Sequence, residues 1–140
     1  MTLKEFATDL GSKSLDRDAP MVDDHLVSRI VTALRQIAMR TTPLTLLVNN
    51  PKSFKILRRV DDSLWVREPE RPDDSNGIGI DIDDDLIDAL QYYVMAGLEP
   101  MRGKINMALF HSEIDNYNQM LIEAELTIAT EDSSKHHQFP

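Results

Sequence analysis

Apolar residues recur along this chain with two different periods, and each change of period marks an element. Leu26, Ile30, Leu34 and Ile37, joined by Val27 and Ala33, keep the i, i+3/i+4 spacing of one helix face, and Arg29, Arg35 and Arg40 fall on the wet face. Asp23 or Asp24 stands where an N-cap belongs. Pro43 should stop the helix, because the residue before a proline is pushed out of the α region. Residues 45–48 are then β-branched and leucine-rich, Asn49-Asn50-Pro51 reads as a turn, and residues 53–60 read as a second strand. Asp61-Asp62-Ser63 turns the chain into a third strand at 64–67. Three short strands in succession predict an antiparallel meander.

Residues 68–77, with two prolines, acidic and amide groups and a glycine, read as an exposed loop. Ile78, Ile80 and Ile82 alternate with Gly79 and Asp81, which is the period of a strand. Asp83, Asp84 or Asp85 can then cap a helix over 83–96 that carries Leu86, Ile87, Leu90, Tyr93 and Val94 on one side and ends at Gly97. Two readings compete in the last third. Met107, Phe110, Ile114, Tyr117, Leu121, Ala124 and Ile128 fit a helical repeat, whereas Ile122, Ala124, Leu126 and Ile128 also alternate with polar residues. Asp115-Asn116-Tyr117-Asn118 is poor helix material and good turn material, so the expectation is a hairpin of 104–111 with 120–130. Residues 1–21 open with a short amphipathic stretch (Leu3, Phe6, Leu10) and continue into turn formers and charge, so they are expected to be a flexible tail. Residues 22–131 form one α+β domain, and 132–140 a flexible C-terminal tail. The predicted fold class is α+β: a small antiparallel sheet or split β-barrel with an N-terminal helix and one inserted helix.

Composition narrows what such a domain can do. The 140 residues suit one domain, and 41% hydrophobic with 28% charged residues is an ordinary globular balance. No cysteine is present, which excludes disulfides, thiolate metal sites and a cysteine nucleophile. The formal net charge of −9 weighs against sequence-independent nucleic-acid binding, since that affinity comes from clustered Lys and Arg neutralising phosphates. Neither a signal peptide nor a bilayer-length apolar run is legible, so a cytoplasmic location without membrane insertion is expected.

The segment ALRQIAMRTTPLTLLVNNPKSFKILRRVDDSLWV, residues 33–66, runs a helix through a Pro-Leu pair into a β-meander with Asn49-Asn50 at the first turn. It resembles the N-terminal domain of YcgR-type flagellar-brake proteins, which lies beside a PilZ domain that binds cyclic di-GMP. The resemblance implies a split β-barrel and a regulatory module in bacterial motility or cyclic di-GMP signalling. The chain has no length for the PilZ domain, and the predicted helix over 83–96 is an insertion relative to that family. Arg67-Glu-Pro-Glu-Arg71 satisfies the first PilZ motif, but Asp73-Asp74-Ser75-Asn76-Gly77-Ile78 has Ile78 where the second needs glycine, which weighs against cyclic di-GMP binding.

Catalytic and cofactor signatures are not found. His25, His111, His136 and His137 lack metal-ligand spacing, and the serines sit in no G-x-S-x-G elbow. Asp81, Asp83, Asp84 and Asp85 are the densest carboxylate cluster, but their spacing is not that of a calcium loop, and helix capping explains them without metal. No metal, cofactor or catalytic residue is therefore assigned, and the chain is read as not an enzyme. Positive charge concentrates on the predicted meander, at Lys52, Lys55, Arg58, Arg59 and Arg67, beside the only tryptophan, Trp65. Arg and Trp are over-represented at binding hot spots, so Arg58, Arg59, Trp65 and Arg67 are the predicted protein-interaction site. The expected function is a regulatory or adaptor module acting through a protein partner. The alternative is an acidic inhibitor, immunity protein or secretion chaperone that binds a basic partner.

Overall fold

In a computed structural model of the chain, residues 1–14 and 18–136 are described, with side chains as far as Ala124. Helix α1 spans Leu3–Lys13, α2 Asp24–Arg40, α3 Ile87–Leu98 and α4 Gly103–His136, and three short strands, β1 Leu47–Val48, β2 Ile56–Arg59 and β3 Trp65–Arg67, lie between α2 and α3. The fold is α+β, with an open antiparallel sheet. One hydrophobic core joins Phe6 and Leu10 of α1, Ile30, Leu34 and Ile37 of α2, Leu46 and Val66 beside and within the sheet, Leu90 and Val94 of α3, and Phe110 of α4. Among the described residues, no helix is long and apolar enough to cross a membrane.

Helix α2 follows its sequence pattern: Asp23 accepts from the Leu26 N–H at 2.9 Å, and Thr41 forms the C-cap. The N-terminal stretch departs from expectation. Residues 3–13 are not a tail but a helix with Leu3, Phe6, Ala7 and Leu10 buried, so this part of the segment assigned to residues 1–21 belongs to the domain. Thr2 and Glu5 close a reciprocal capping box, each side chain bonded to the other's backbone N–H at 3.0 Å. Asp74 receives the Leu3 and Lys4 N–H groups at 2.9 and 3.0 Å, and the Met1 carbonyl accepts from Ile80 N–H at 2.8 Å. Gly11 lets the helix touch residues 18–19: a Cβ there would stand 2.6 Å from the Ala19 backbone.

The sheet has the order β1-β3-β2, so β3 is the central strand and the sequential meander expected from the turns is only half realised. β2 and β3 form the hairpin, and β1 pairs with β3 across it. The register Ile56↔Arg67, Arg58↔Val66, Arg59↔Trp65 carries an irregularity at Leu57, which turns Arg58 to the same side as buried Val66. Residues 44–46 form a 3₁₀ turn rather than strand. Ile80 and Ile82 are buried as their alternation suggested, yet 78–82 form no strand; the segment is anchored by a single bridge, Asp73 to Ile78, and by Met1. Pro69 and Pro72 are buried too, so the stretch 68–77 is only partly the exposed loop expected.

The hairpin expected at 104–111 and 120–130 is instead the single helix α4. Its buried positions Asn106, Phe110, Ile114 and Tyr117 keep the 3-4 spacing, and Phe110 meets Tyr93 of α3 edge to face at 5.1 Å between ring centroids. The turn-forming run is absorbed by tertiary contacts. Thr41 Oγ1 donates to Asn118 Oδ1 at 2.5 Å, Tyr117 packs inward, and Asp115 and Asn116 face solvent. Of the C-terminal segment expected to be flexible, 132–136 continue α4 and 137–140 lie outside the described residues.

Candidate functional site

The four residues of the predicted interaction site do not form one free cationic face. Arg58, turned inward by the irregularity at Leu57, donates from Nε to Ala38 O at 2.9 Å and from Nη2 to Thr41 O at 2.7 Å and Thr42 Oγ1 at 3.1 Å. It thereby caps the C-terminal carbonyls of α2, where a cation also meets the negative end of the helix dipole. Arg67 makes a two-pronged pair with Asp81 at 2.5 and 2.8 Å, both side chains being only 16% and 15% exposed. Burial pushes the Asp81 carboxyl up, but the hydrogen bonds from Arg67 and Glu70 N–H and the Arg67 charge outweigh it and hold the group below its ordinary value. Arg59 is exposed and bonds locally to Asp61 O and Asp62 at 2.9 and 2.8 Å. Trp65 is half-buried on the central strand.

The aspartate run after the loop is likewise divided among internal partners. Asp81 holds Arg67. Asp83, expected to cap the following helix, instead receives Leu44 N–H and Thr45 N–H at 3.0 and 2.8 Å and the Tyr117 hydroxyl at 2.5 Å. Burial raises the Asp83 carboxyl, but these hydrogen bonds outweigh it, so it too sits below its ordinary value. Burial and the Asp83 hydrogen bond push the Tyr117 phenol well up. This knot ties α4 to the 3₁₀ turn after α2. Among the described residues, no group of three or more His, Asp or Glu is placed to hold a metal ion.

The outer face of α2 is one surface open to a partner. Two depressions share Thr32 and run along it end to end. The first, about 250 Å³, lies between α2 and α3 and is lined by His25, Ser28, Arg29, Thr32 and Tyr93. The second, about 490 Å³, is lined by Thr32, Arg35, Gln36, Met39 and Leu57 of β2. Positions 25, 28/29, 32, 35/36 and 39 recur at helical spacing, so one stripe of α2 forms the floor. Tyr93 walls one end and Leu57 the other. A larger depression of about 590 Å³ runs over the outer face of α1, but its walls are α1 residues and Met1 alone, so no second element shapes it.

Arg29 and Arg35 belong to the wet face that the sequence pattern already marks, but the pattern could not show that a groove runs between them. Arg35 pairs loosely with Glu68 at 3.5 Å, a carboxylate that Lys55 also holds at 3.0 Å. Arg29 is half-buried, and its Nε is sealed from solvent without a hydrogen-bond partner. Its guanidinium lies against Gly97 of α3, where a Cβ would fall 1.1 Å from Nη2. Gly97, expected to terminate α3, therefore sits inside it and makes room for Arg29. No family model, curated protein or solved structure matches this chain.

Proposed function

We propose that this chain is a non-enzymatic binding module, of regulatory or adaptor character, that receives an acidic segment of a partner protein in the groove along α2. The observation that carries the reading is Arg29. It is a half-buried cation with no carboxylate at ion-pair distance among the described residues, in a chain whose formal net charge is −9. A half-buried arginine in a groove is the kind of residue on which binding energy concentrates. Met39 and Leu57 offer apolar contact at the opposite end. The floor from His25 to Met39 is about 21 Å long at the helical rise, the span of six or seven extended residues. Of what the family resemblance implies, the regulatory character is retained. Arg67 of the Arg67/Arg71 pair is occupied by Asp81, so cyclic di-GMP is not part of the reading.

Selection of random peptides displayed on phage against the immobilised full chain tests this. Enriched peptides should combine acidic residues with an apolar one. Their affinity should fall at least tenfold in Arg29→Ala and in Met39→Glu while Arg59→Glu leaves it unchanged. Enrichment of basic peptides would overturn the reading in favour of an acidic inhibitor or chaperone. Binding indifferent to both groove substitutions would overturn it outright.

A further inference from the structure

We propose that the pocket at the His25 end of the groove is a receptor for a phosphate monoester; the proposal deepens the groove reading above and rests on it. The pocket between α2 and α3 is lined by one cation, the Arg29 guanidinium, and by three further hydrogen-bonding side chains: the Ser28 and Tyr93 hydroxyls and the His25 ring. None of these side chains bonds to a described residue, whereas the neighbouring Thr32 hydroxyl already donates to Ser28 O at 3.0 Å. Of the Arg29 nitrogens only Nε is both buried and unpartnered, so the two terminal nitrogens keep an open edge. Gly97 makes that placement possible, because a side chain there would occupy the space the guanidinium fills.

The sealed Nε cannot itself reach a ligand in the pocket, so the terminal nitrogens of Arg29 are the ones a ligand would meet. Three considerations favour phosphate over carboxylate. Its three terminal oxygens can use more of the converging donors than two can, its charge is nearly double, and arginine matches its geometry in a two-pronged fashion. The pocket also lies beside the first turns of α2, whose dipole is positive at that end. Opposing charge is limited: Asp23 is engaged as the N-cap, and Asp24 is exposed to solvent. Tyr93 is held in place by its edge-to-face contact with Phe110, so its hydroxyl is presented from a fixed ring.

The test uses the ¹⁵N-labelled full chain at constant ionic strength, following the Arg29 Nε–H signal and the amides of His25, Ser28, Thr32 and Tyr93. Inorganic phosphate should shift these signals saturably, with a midpoint at least tenfold below that of acetate, and Arg29→Gln should abolish the response. Gly97→Ala keeps a helix-favouring residue in α3 but displaces the guanidinium, so it should weaken phosphate at least fivefold while the rest of the spectrum stays folded. Equal midpoints for phosphate and acetate, saturation that survives Arg29→Gln, or shifts located elsewhere would overturn the proposal. A groove-binding peptide is then compared with and without a phosphoserine. A tenfold gain assigns the phosphate to the partner segment; no gain, with inorganic phosphate still saturating, assigns it to a small phosphorylated molecule. Should phosphate fail while the acidic peptide still depends on Arg29 and Met39, this inference falls and the groove reading stands. The reverse result leaves the pocket without the groove.

Discussion

Replacing Asp81 by Asn separates a structural role for Arg67 from a binding role. The pair it breaks has two short hydrogen bonds, at 2.5 and 2.8 Å, and both side chains are about 15% exposed, at 16% and 15%. Removing one partner of such a pair strands the other charge, at a cost of about 3–5 kcal/mol for full burial. Arg67 retains its 3.3 Å bond to Thr45 O and its place over the Phe54 ring, 5.9 Å from the centroid, so the lower end, about 3 kcal/mol, is expected. With a urea m-value of about 2 kcal/mol/M, that is a drop in midpoint of roughly 1.5 M. The double substitution Arg67→Met with Asp81→Leu removes both charges together and should land within about 1 kcal/mol of the parent or above it. Urea unfolding followed by Trp65 fluorescence measures Asp81→Asn and the four corners of the cycle, namely the parent, Arg67→Met, Asp81→Leu and the double variant. The pair also has a pH signature. Because Asp81 is held below its ordinary value when folded, its contribution is complete above about pH 5 and drains away as the pH falls through the folded value, so the gap between parent and Asp81→Asn should close in acid while the charge-free double variant gains on the parent. A loss of less than 1 kcal/mol in Asp81→Asn, or a coupling near zero in the cycle, would refute the reasoning and return Arg67 to the list of available cations.

Three further outcomes follow from the same contacts. Arg58→Ala, which uncaps the carbonyls at the end of α2, should cost about 2 kcal/mol in urea unfolding, whereas Arg59→Ala, bonded only within its own exposed turn, should change stability by less than about 0.5 kcal/mol. Gly11→Ala should cost about 1–3 kcal/mol despite the better helix propensity of alanine, because its Cβ would meet the Ala19 backbone at 2.6 Å; hydrogen exchange should quicken in α1 ahead of α2. Tyr117→Phe removes the hydroxyl shared by Asp83 and Leu44 N–H and should cost about 1 kcal/mol near neutral pH. Because Asp83 too is held below its ordinary value, less of that bond's worth should survive as acid protonates the carboxyl, so the deficit should shrink there.

Where a local pattern had one solution, the sequence by itself determined the outcome. Helix α2, its Asp cap, its buried stripe, the hairpin of β2 with β3 and the helix after the aspartates all follow from periodicity and turn chemistry. Helix α1 left a signal in the capping box of Thr2 and Glu5, which the expectation of a flexible tail over residues 1–21 passed over. Tertiary structure decided the rest. Asp115 to Asn118 are turn formers in isolation and helical here because Phe110, Ile114 and Tyr117 gain more by packing inward than the local preference opposes. One irregular position at Leu57 sent Arg58 inward, and a carboxylate 14 residues away along the chain took Arg67, so two of the three arginines predicted to be available on the hairpin are engaged internally and Arg59 alone of them stays exposed. Arg29, which the pattern placed on an unremarkable wet face, became the exception because α3 brought Gly97 and Tyr93 to it. Whether a charge is free depends on which groups distant in sequence arrive beside it, and spacing along a single element carries no record of that.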